Sequence, residues 1–531
     1  MDTTTPEEVY FATPDAELEI VQEVTSAAAG RRLSDRADVI RGRRGYALVN
    51  RTLTPHEAMV EDLLFVRDVL DRADLPFLLV RGNDARPVIA VDWRRRKNLR
   101  DALVEACRNE PFYSLPVDAR KNEALLVADG RLARSGKARM FRLYRPRLEP
   151  EGGLLYGQET GVQIELWKWE GQLLQLPIEN SLTRRALTVG EAVRGTVERF
   201  GQTWPTIENM FADHATDIDF EIDIVFSWVD GTDPDLLRYR ASFLPGVVLG
   251  EGDSAEARYR QINELKYALR SVHMFAPWIR RIFICTDSKV PAWLDAEHPK
   301  ITVVPAKDHF RDASVLPVFN SQAIESQLQH IKGLSEYFLY SNDDMFFGRP
   351  MGPDMFFSPG GITKFIEATT RIGLGDNHLD RSGFENAARV NRRLLYVRFG
   401  RITTRHLEHT AAPLRRSVLL EMESEFTAEF AETAASRFRA KDNISVTNSL
   451  YHYYALLTGR AVTNVGAKVL YVDTTVHSGL DLLGKLLRKR NQDFFCLNDG
   501  SFPEVPPQER QERVTDFLEK YFPVPAPWER R

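Results

Sequence analysis

The chain has 531 residues, 43% of them hydrophobic, 10% aromatic and 27% charged, a globular balance that excludes wholesale disorder and fibrous repeats and exceeds what one hydrophobic core supports. Seventy Lys and Arg against 75 Asp and Glu leave a formal charge of −5, which excludes a general nucleic-acid coat, so an anionic substrate has to be met by a local site or a metal. Three cysteines, Cys107, Cys285 and Cys496, cannot build a disulfide framework and point to a reducing compartment.

The acidic N-terminus lacks the basic flank and apolar stretch of a signal peptide, and no segment approaches the roughly 20 apolar residues of a membrane span. A cytoplasmic location is therefore expected. Peripheral contact with the inner face of a membrane would rest on basic clusters such as Arg94-Arg95-Arg96-Lys97, which read first as a solvated helix start. The first fifty residues read as helical, with a basic end in GRRLSDRADVIRGRRGY. Thr54-Pro55 opens a long amphipathic helix, TPHEAMVEDLLFVRDVLDRADL. Strand-like LPFLLVRG and RPVIAVD, helical RRKNLRDALVEAC, then strand-like LLVAD, ARMFRLYRP and GVQIELWKWE complete an α/β accessory domain over residues 1–215. Gly82, Asp84, Asp92 and Glu165 loosely fit a nucleotidyltransferase-like strand-end pattern, but their spacing reads better as surface acids. The stretch TVGEAVRGTVERFGQTWPTIENMFADHATD reads as polar and helical.

Near Phe220 the character changes. DIVFSWVD, helical NELKYALRSVHMFAPW, RIFICTD, KITVVPA, a helix from SQAIESQLQHI and EYFLYSNDDMFF alternate strand with helix. This predicts α/β architecture: a mostly parallel sheet with crossover helices, Rossmann-like or GT-A-like, over residues 216–480. Residues 481–531 add a C-terminal segment. Such sheets place ligands at the carboxyl ends of their strands, where SWVDGTDP, CTD and SNDDMFFG sit.

Asp230, Gly231, Asp233 and Pro234 form a turn that needs no functional explanation. Asn342-Asp343-Asp344 is more informative, because adjacent carboxylates beside a buried strand repel one another unless a cation offsets them. Oxygen-only donors suit Mg²⁺ or Mn²⁺, with an Asx turn as the alternative. His406 and His409 lack the further ligands of a zinc site and fit a general base or charge partner beside phosphate. In the cluster of Arg437, Arg439 and Asp442 the two arginines offer guanidinium forks for phosphate oxygens, or the cluster makes a salt bridge at a helix start. Cys285 has no adjacent base and reads as packing.

Five segments, DIVFSWVDGTDP, RYRQINELKYALRSVHMFAPWIRRIFICTDSKVPAWL, LPVFNSQAIESQLQHIKGLSEYFLYSNDDMFFG, RHLEHTAAP through SRFRAKDNIS, and FFCLNDG, resemble in order the four signature regions of the Stealth family, over about residues 218–500. That family includes bacterial capsule and exopolysaccharide sugar-1-phosphate transferases and the catalytic subunit of the lysosomal-enzyme N-acetylglucosamine-1-phosphotransferase. The chain as a whole is most similar to the mycobacterial-type, actinobacterial exopolysaccharide phosphotransferases. The resemblance implies transfer of a hexose-1-phosphate from a nucleotide-sugar, a UDP-sugar, to a carbohydrate hydroxyl with release of UMP, and assigns no oligomeric state and no role to residues 1–215. Ser227, Trp228, Gly231 and Asp233 would then seat the donor. Asp343 and Asp344, with Asn342, would bind the divalent cation, Mg²⁺ or Mn²⁺. Asn498 and Asp499 are carried over from the fourth region, Asp499 as a further metal ligand. Arg439 would clamp phosphate, with Asp442 orienting it or meeting the acceptor. His409, with His406 behind it, would be the base, and Asp230 its rival. Asn320 and Glu325 read as a helix cap and its follower or as substrate contacts; Lys266 and Arg270 share a helix face and read as diphosphate contacts or as solvated. A metal-dependent glycosyltransferase releasing UDP and a non-catalytic carbohydrate-binding protein are the competing readings.

Overall fold

The computed structural model describes residues 32–42, 45–117, 124–134, 136–244, 262–500 and 503–530. These fall into two compact units: the described residues up to His214 together with Leu487–Arg490, and the remainder from Ala215 onward.

In the first unit, helix Pro55–Arg72 starts on a capping box: Glu57 N donates to Thr54 Oγ1 at 3.2 Å, and Thr54 N donates to the Glu57 carboxylate at 2.8 Å. Its buried stripe, Leu63, Val66 and Leu70, packs with Leu99 and Leu103 of helix Arg96–Ala106 against strand residues such as Ile89, Phe141 and Ile164. The sheet behind them orders Ala186–Thr188, Leu173–Gln175, Val162–Glu170, Met140–Tyr144, Tyr113–Pro116 and Leu125–Leu126, with Pro87–Asp92 running parallel to Val162–Glu170.

Two segments read as helical are strands. Val39–Gly42 and Gly45–Val49 form an antiparallel pair, and residues 1–31 of that stretch lie outside the described residues. Arg194–Arg199 and Gln202–Ile207 form a hairpin turning at Phe200 and Gly201, with φ of 52° and 69°. Two consecutive positive-φ residues match the right-handed twist of paired strands, and Trp204 and Thr206 bury one face at a period of two. Of the acids of this unit, Asp84 is exposed and Asp92 half-buried at a strand end, as a surface reading expects, and Glu165 departs from it. Glu165 is buried mid-strand and accepts from Trp167 Nε1 and Gln163 Nε2 at 2.8 Å each, while Asp84 and Asp92 pair with Arg86 and Arg94, both at 2.9 Å.

In the second unit the central sheet orders Ile301–Val304, Ile282–Cys285, Ile222–Ser227, Tyr337–Asn342 and Ala412–Arg415. The first four run parallel and the last is antiparallel to Tyr337–Asn342. Runs such as IFIC and YFLYSN are apolar on both faces because helices cover both sides of a parallel sheet. Helix Glu264–Phe275 makes the crossover from Ile222–Ser227 to Ile282–Cys285. Val225, Phe338 and Leu414 from the sheet share one core with Val418 and Leu419 of helix Arg416–Glu425 and Tyr451 of helix Tyr451–Leu457. The helix expected through SQAIESQLQHI is only Ser321–Glu325, followed by a 3₁₀ turn at Leu328–His330.

A smaller sheet, Met345–Phe347, Phe494–Asn498 and Val469–Asp473, continues from the end of Tyr337–Asn342. Its register places Met345 opposite Cys496, and Leu497 N donates to Asp344 O at 2.9 Å. Among the described residues, no helix is long and apolar enough to cross a membrane.

Candidate active site

Strands Ile222–Ser227 and Tyr337–Asn342 end level, Ser227 beside Asn342. Ser227 Oγ lies 2.7 Å from Tyr340 Oη, and Asn342 Oδ1 accepts within 3.0 Å of Tyr340 Oη and 3.4 Å of Ser227 Oγ. Behind them sits Glu325, 2% exposed. Thr447 Oγ1 donates to its Oε2 at 2.7 Å, and Tyr340 Oη stands 3.4 Å from its Oε1. Burial pushes the Glu325 carboxyl up, opposed by the hydrogen bond from Thr447 and the charge of Arg439. Arg439 Nη2 in turn donates to Ser321 Oγ at 3.0 Å. One connected set thus joins residues more than 200 positions apart.

Beyond Asn342 the chain turns through Asp343 and Asp344 into a different electrostatic setting. Burial, then the charges of Asp344 and Glu264, push the Asp343 carboxyl well up. Glu264, 7% exposed at the start of its helix, accepts from Ile262 N at 2.6 Å and is pushed up to about 7 by burial. Cys496 Sγ donates to Asp344 Oδ2 at 3.5 Å, and burial with that carboxylate raises the thiol far above its ordinary range. Asp499 pairs with Arg510, which is 4% exposed and donates from Nε to Thr474 Oγ1 at 2.8 Å. Tyr471 is raised by burial and by the charges around it, those of Asp473, Asp344 and Asp499 included, and its ring meets the edge of His409 at 5.3 Å between centroids.

Conserved region 1 of the Stealth proteins matches residues 220–247, region 2 residues 258–365, region 3 residues 408–456 and region 4 residues 484–531. The chain is 60% identical to the exopolysaccharide phosphotransferase CpsY of Mycobacterium leprae, covering 91% of this chain and 89% of that protein. The chain belongs to the Stealth family. An exopolysaccharide phosphotransferase of Nocardia farcinica is 55% identical over 90% of this chain and 88% of its own. A crystal structure of the galactosyltransferase LgtC with donor and acceptor sugar analogs covers 56% of this chain and 95% of its own at 13% identity, with a TM-score of 0.27, too weak a likeness to bear on mechanism. As a Stealth protein the chain is an enzyme, a sugar phosphotransferase of exopolysaccharide synthesis. All four regions reach the site: Ser227 from the first, Glu264, Glu325 and Asp343 from the second, His409, Arg439 and Thr447 from the third, Asp499 and Arg510 from the fourth.

Several residues singled out in the sequence take other roles. Lys266 and Arg270 do not present a diphosphate-binding face: Arg270 holds Glu529 at 2.7 and 2.8 Å and the Phe522 carbonyl at 2.9 Å, and Lys266 lies 3.6 Å from Glu529. Asn320, 2% exposed, caps Ser321–Glu325 and donates to Ser436 O at 3.1 Å and Asn443 Oδ1 at 3.0 Å, so it is a structural latch rather than a substrate contact. His406 is buried, stacks on Phe384 at 4.5 Å and faces Glu385 at 3.2 Å, with burial drawing it below the ordinary histidine range. Asp442 accepts from Asn377 at 2.6 Å and lies 3.5 Å from Lys441. Asp233 caps helix Pro234–Ala241, and Asp230 accepts from Thr232 N and Oγ1 at 2.9 and 2.7 Å. Trp228 is 8% exposed and Gly231 is buried beside it in the turn. The Asn498 carbonyl accepts twice from Thr474. Cys285 is a buried thiol pushed up by desolvation, as unsuited to nucleophilic work as its surroundings imply.

Glu264, Tyr340, Thr447, Tyr471 and Arg510 were invisible as site residues in the sequence. Glu264 reads there as an acid in a first helical turn and Tyr340 and Tyr471 as aromatics in strands, while Thr447 and Arg510 carry no local signal.

Among the described residues no three His, Cys, Asp or Glu side chains converge into a cage for a metal ion. The donor set still fits a hard cation. Asp343, Asp344 and Glu264 crowd like charges, Asp499 beside them is paired with Arg510, and Mg²⁺ is commonly held by one or two carboxylates plus substrate phosphate.

Proposed function

We propose that the chain transfers a hexose-1-phosphate from a UDP-sugar to a hydroxyl of an acceptor carbohydrate and releases UMP. The observation that supports this reading is a braced arginine linked through Glu325 and Tyr340 to Asn342, the residue just before a crowded carboxylate turn. A diphosphate needs both: positive forks for its oxygens and a place for a charge-neutralising cation.

In the step, the acceptor oxygen forms a bond to the phosphorus that bears the sugar, and that phosphorus loses its bond to the bridging oxygen, which leaves with UMP. His409, its ring held at the edge of Tyr471, takes the proton of the acceptor hydroxyl. Asp230 is the weaker candidate, because its carboxylate already accepts two hydrogen bonds from Thr232. Arg439, steadied by Ser321 and the Glu325 charge, meets the non-bridging oxygens. Ser227, with Trp228 and Gly231 in the following turn, borders the donor. Asp343, Asp344 and Asp499 would hold Mg²⁺ or Mn²⁺, which when bound would neutralise diphosphate charge. Residues 1–215 serve as an accessory domain.

Incubating the purified protein with a panel of UDP-sugars and Mn²⁺, then identifying the nucleotide released, tests the reading. UMP is expected. Release of UDP instead would mean cleavage at the anomeric carbon and a glycosyltransferase.

A further inference from the structure

Conserved region 2 ends at residue 365 and region 3 begins at residue 408, and the stretch between them belongs to neither. Over residues 369–405 it sets eight arginines against Asp376, Asp380 and Glu385, a surplus of five positive charges in a chain whose formal charge is −5. Its apolar side chains are as unusual as its charge. Leu374 is 88% exposed, Val397 79% and Ile402 63%, and Leu379 and Tyr396 are exposed as well. Single exposed aliphatics are ordinary, whereas several grouped together mark an interaction surface.

Three segments group these residues. Strand Glu367–Arg371 pairs with Arg405–Leu407, and Ile372 N donates to Thr404 O at 3.1 Å. Two residues beyond that bond, in opposite directions along the chain, stand Leu374 and Ile402. Helix Gly383–Phe399 presents Arg393, Tyr396 and Val397 at the i, i+3, i+4 spacing of one exposed face. That helix also holds the Leu374 loop: Arg392 Nη2 donates to the Gly373 carbonyl at 3.1 Å, and Arg393 Nη1 to Asn377 Oδ1 at 3.3 Å. Gly400, with φ of 66°, ends the helix and leads into Arg401 and Ile402. Arg371 donates to Thr404 Oγ1 and Arg381 to the Asp376 carbonyl, so these arginines, like Arg392 and Arg393, meet uncharged oxygens and keep their charge uncancelled. Among the described residues, of the eight only Arg389 and Arg398 are ion-paired, with Glu385 and Glu425.

We propose that this face docks onto an anionic lipid surface, its guanidinium groups meeting headgroup phosphates while Leu374, Val397 and Ile402 enter the acyl boundary. Charge and apolarity together decide the occupant. A second copy meeting the face by two-fold symmetry would oppose arginine to arginine, and a soluble polyanion would leave the aliphatics in water. A lipid surface satisfies both. Phe384, in the first turn of the same helix, stacks on His406 and lies 6.3 Å from His409. It stands about 20 Å along the axis from Val397, so docking brings the site close to the lipid.

Co-sedimentation of the full chain with phosphatidylcholine vesicles, and with vesicles that also contain phosphatidylglycerol, tests the proposal. Binding is expected only where phosphatidylglycerol is present, and it should weaken as salt rises. Arg393→Glu combined with Arg401→Glu should raise the dissociation constant about tenfold or more, and Leu374→Ser combined with Val397→Ser about tenfold. If the thermal melt shows that one pair does not fold, the other carries the test. No binding to either vesicle, equal binding to both, or wild-type affinity in a folded variant would each overturn the proposal. A dimer in sedimentation velocity that the same substitutions dissociate, without vesicle binding, would overturn it and assign the face to a second copy.

Discussion

Two regions share the end of strand Tyr337–Asn342 and differ in how their polar groups are met. On one side, Asn342, Ser227, Tyr340, Glu325 and Thr447 form a hydrogen-bonded set within 2.7–3.4 Å. On the other, starting at the next residue, Asp343 and Asp344 crowd against Glu264, and the first of them is pushed well up. The difference teaches that one strand end can hold a closed hydrogen-bonded wall and, from the very next residue, a turn in which buried carboxylates crowd one another.

The largest effects should come from breaking the link between the two. Asp344→Ala and Arg439→Ala are each expected to lower kcat/KM by on the order of 10³-fold or more, read by UMP release at saturating cation. His409→Ala should cost less, about 10²-fold. If His409→Ala were the most damaging of the three while metal affinity stayed intact, the roles would have to be exchanged.

Glu264 sharpens the comparison through pH. Its carboxyl is raised from 4.5 to about 7, so the folded state binds a proton that the unfolded state has released across that window. The stability it supports is fully present below about 4.5 and is lost as pH rises through about 7, by up to about 3 kcal/mol. Glu264→Gln should flatten that slope in chelator-treated protein, measured as the urea midpoint from pH 5 to 8; an unchanged slope would remove Glu264 from the acidic region. The smallest effect belongs to the satisfied side. Thr447→Val should destabilise by about 1 kcal/mol, since it removes one donor from a buried carboxyl. A cost near zero would mean the wall is less closed than its distances imply.

Much of the fold was legible because its signals are local. Apolar runs such as IFIC and YFLYSN, separated by helix-length segments, announce a parallel sheet, and Thr54-Pro55 with Glu57 announces a capped helix. The hairpin at Arg194–Ile207 was not, because its alternation is diluted by exposed charges and its turn is Phe-Gly rather than Asn-Gly. Of the candidate site, the paired acids and the arginines of SRFRAKD stand out by residue type. The neighbours that define them do not. Arg270 and Arg439 look equivalent along the chain, yet one is saturated by Glu529 and Phe522 while the other braces Ser321 beside Glu325.

By itself, then, the sequence determined the α/β class of the second unit, the membership of its motifs and the acids at the strand end, since hydrophobic period and residue chemistry are written locally. Tertiary structure alone decided which charged groups meet. Glu264 joins Asp343 across 79 positions and Asp499 meets Arg510 near Thr474 because the fold, through burial and register, sets those distances.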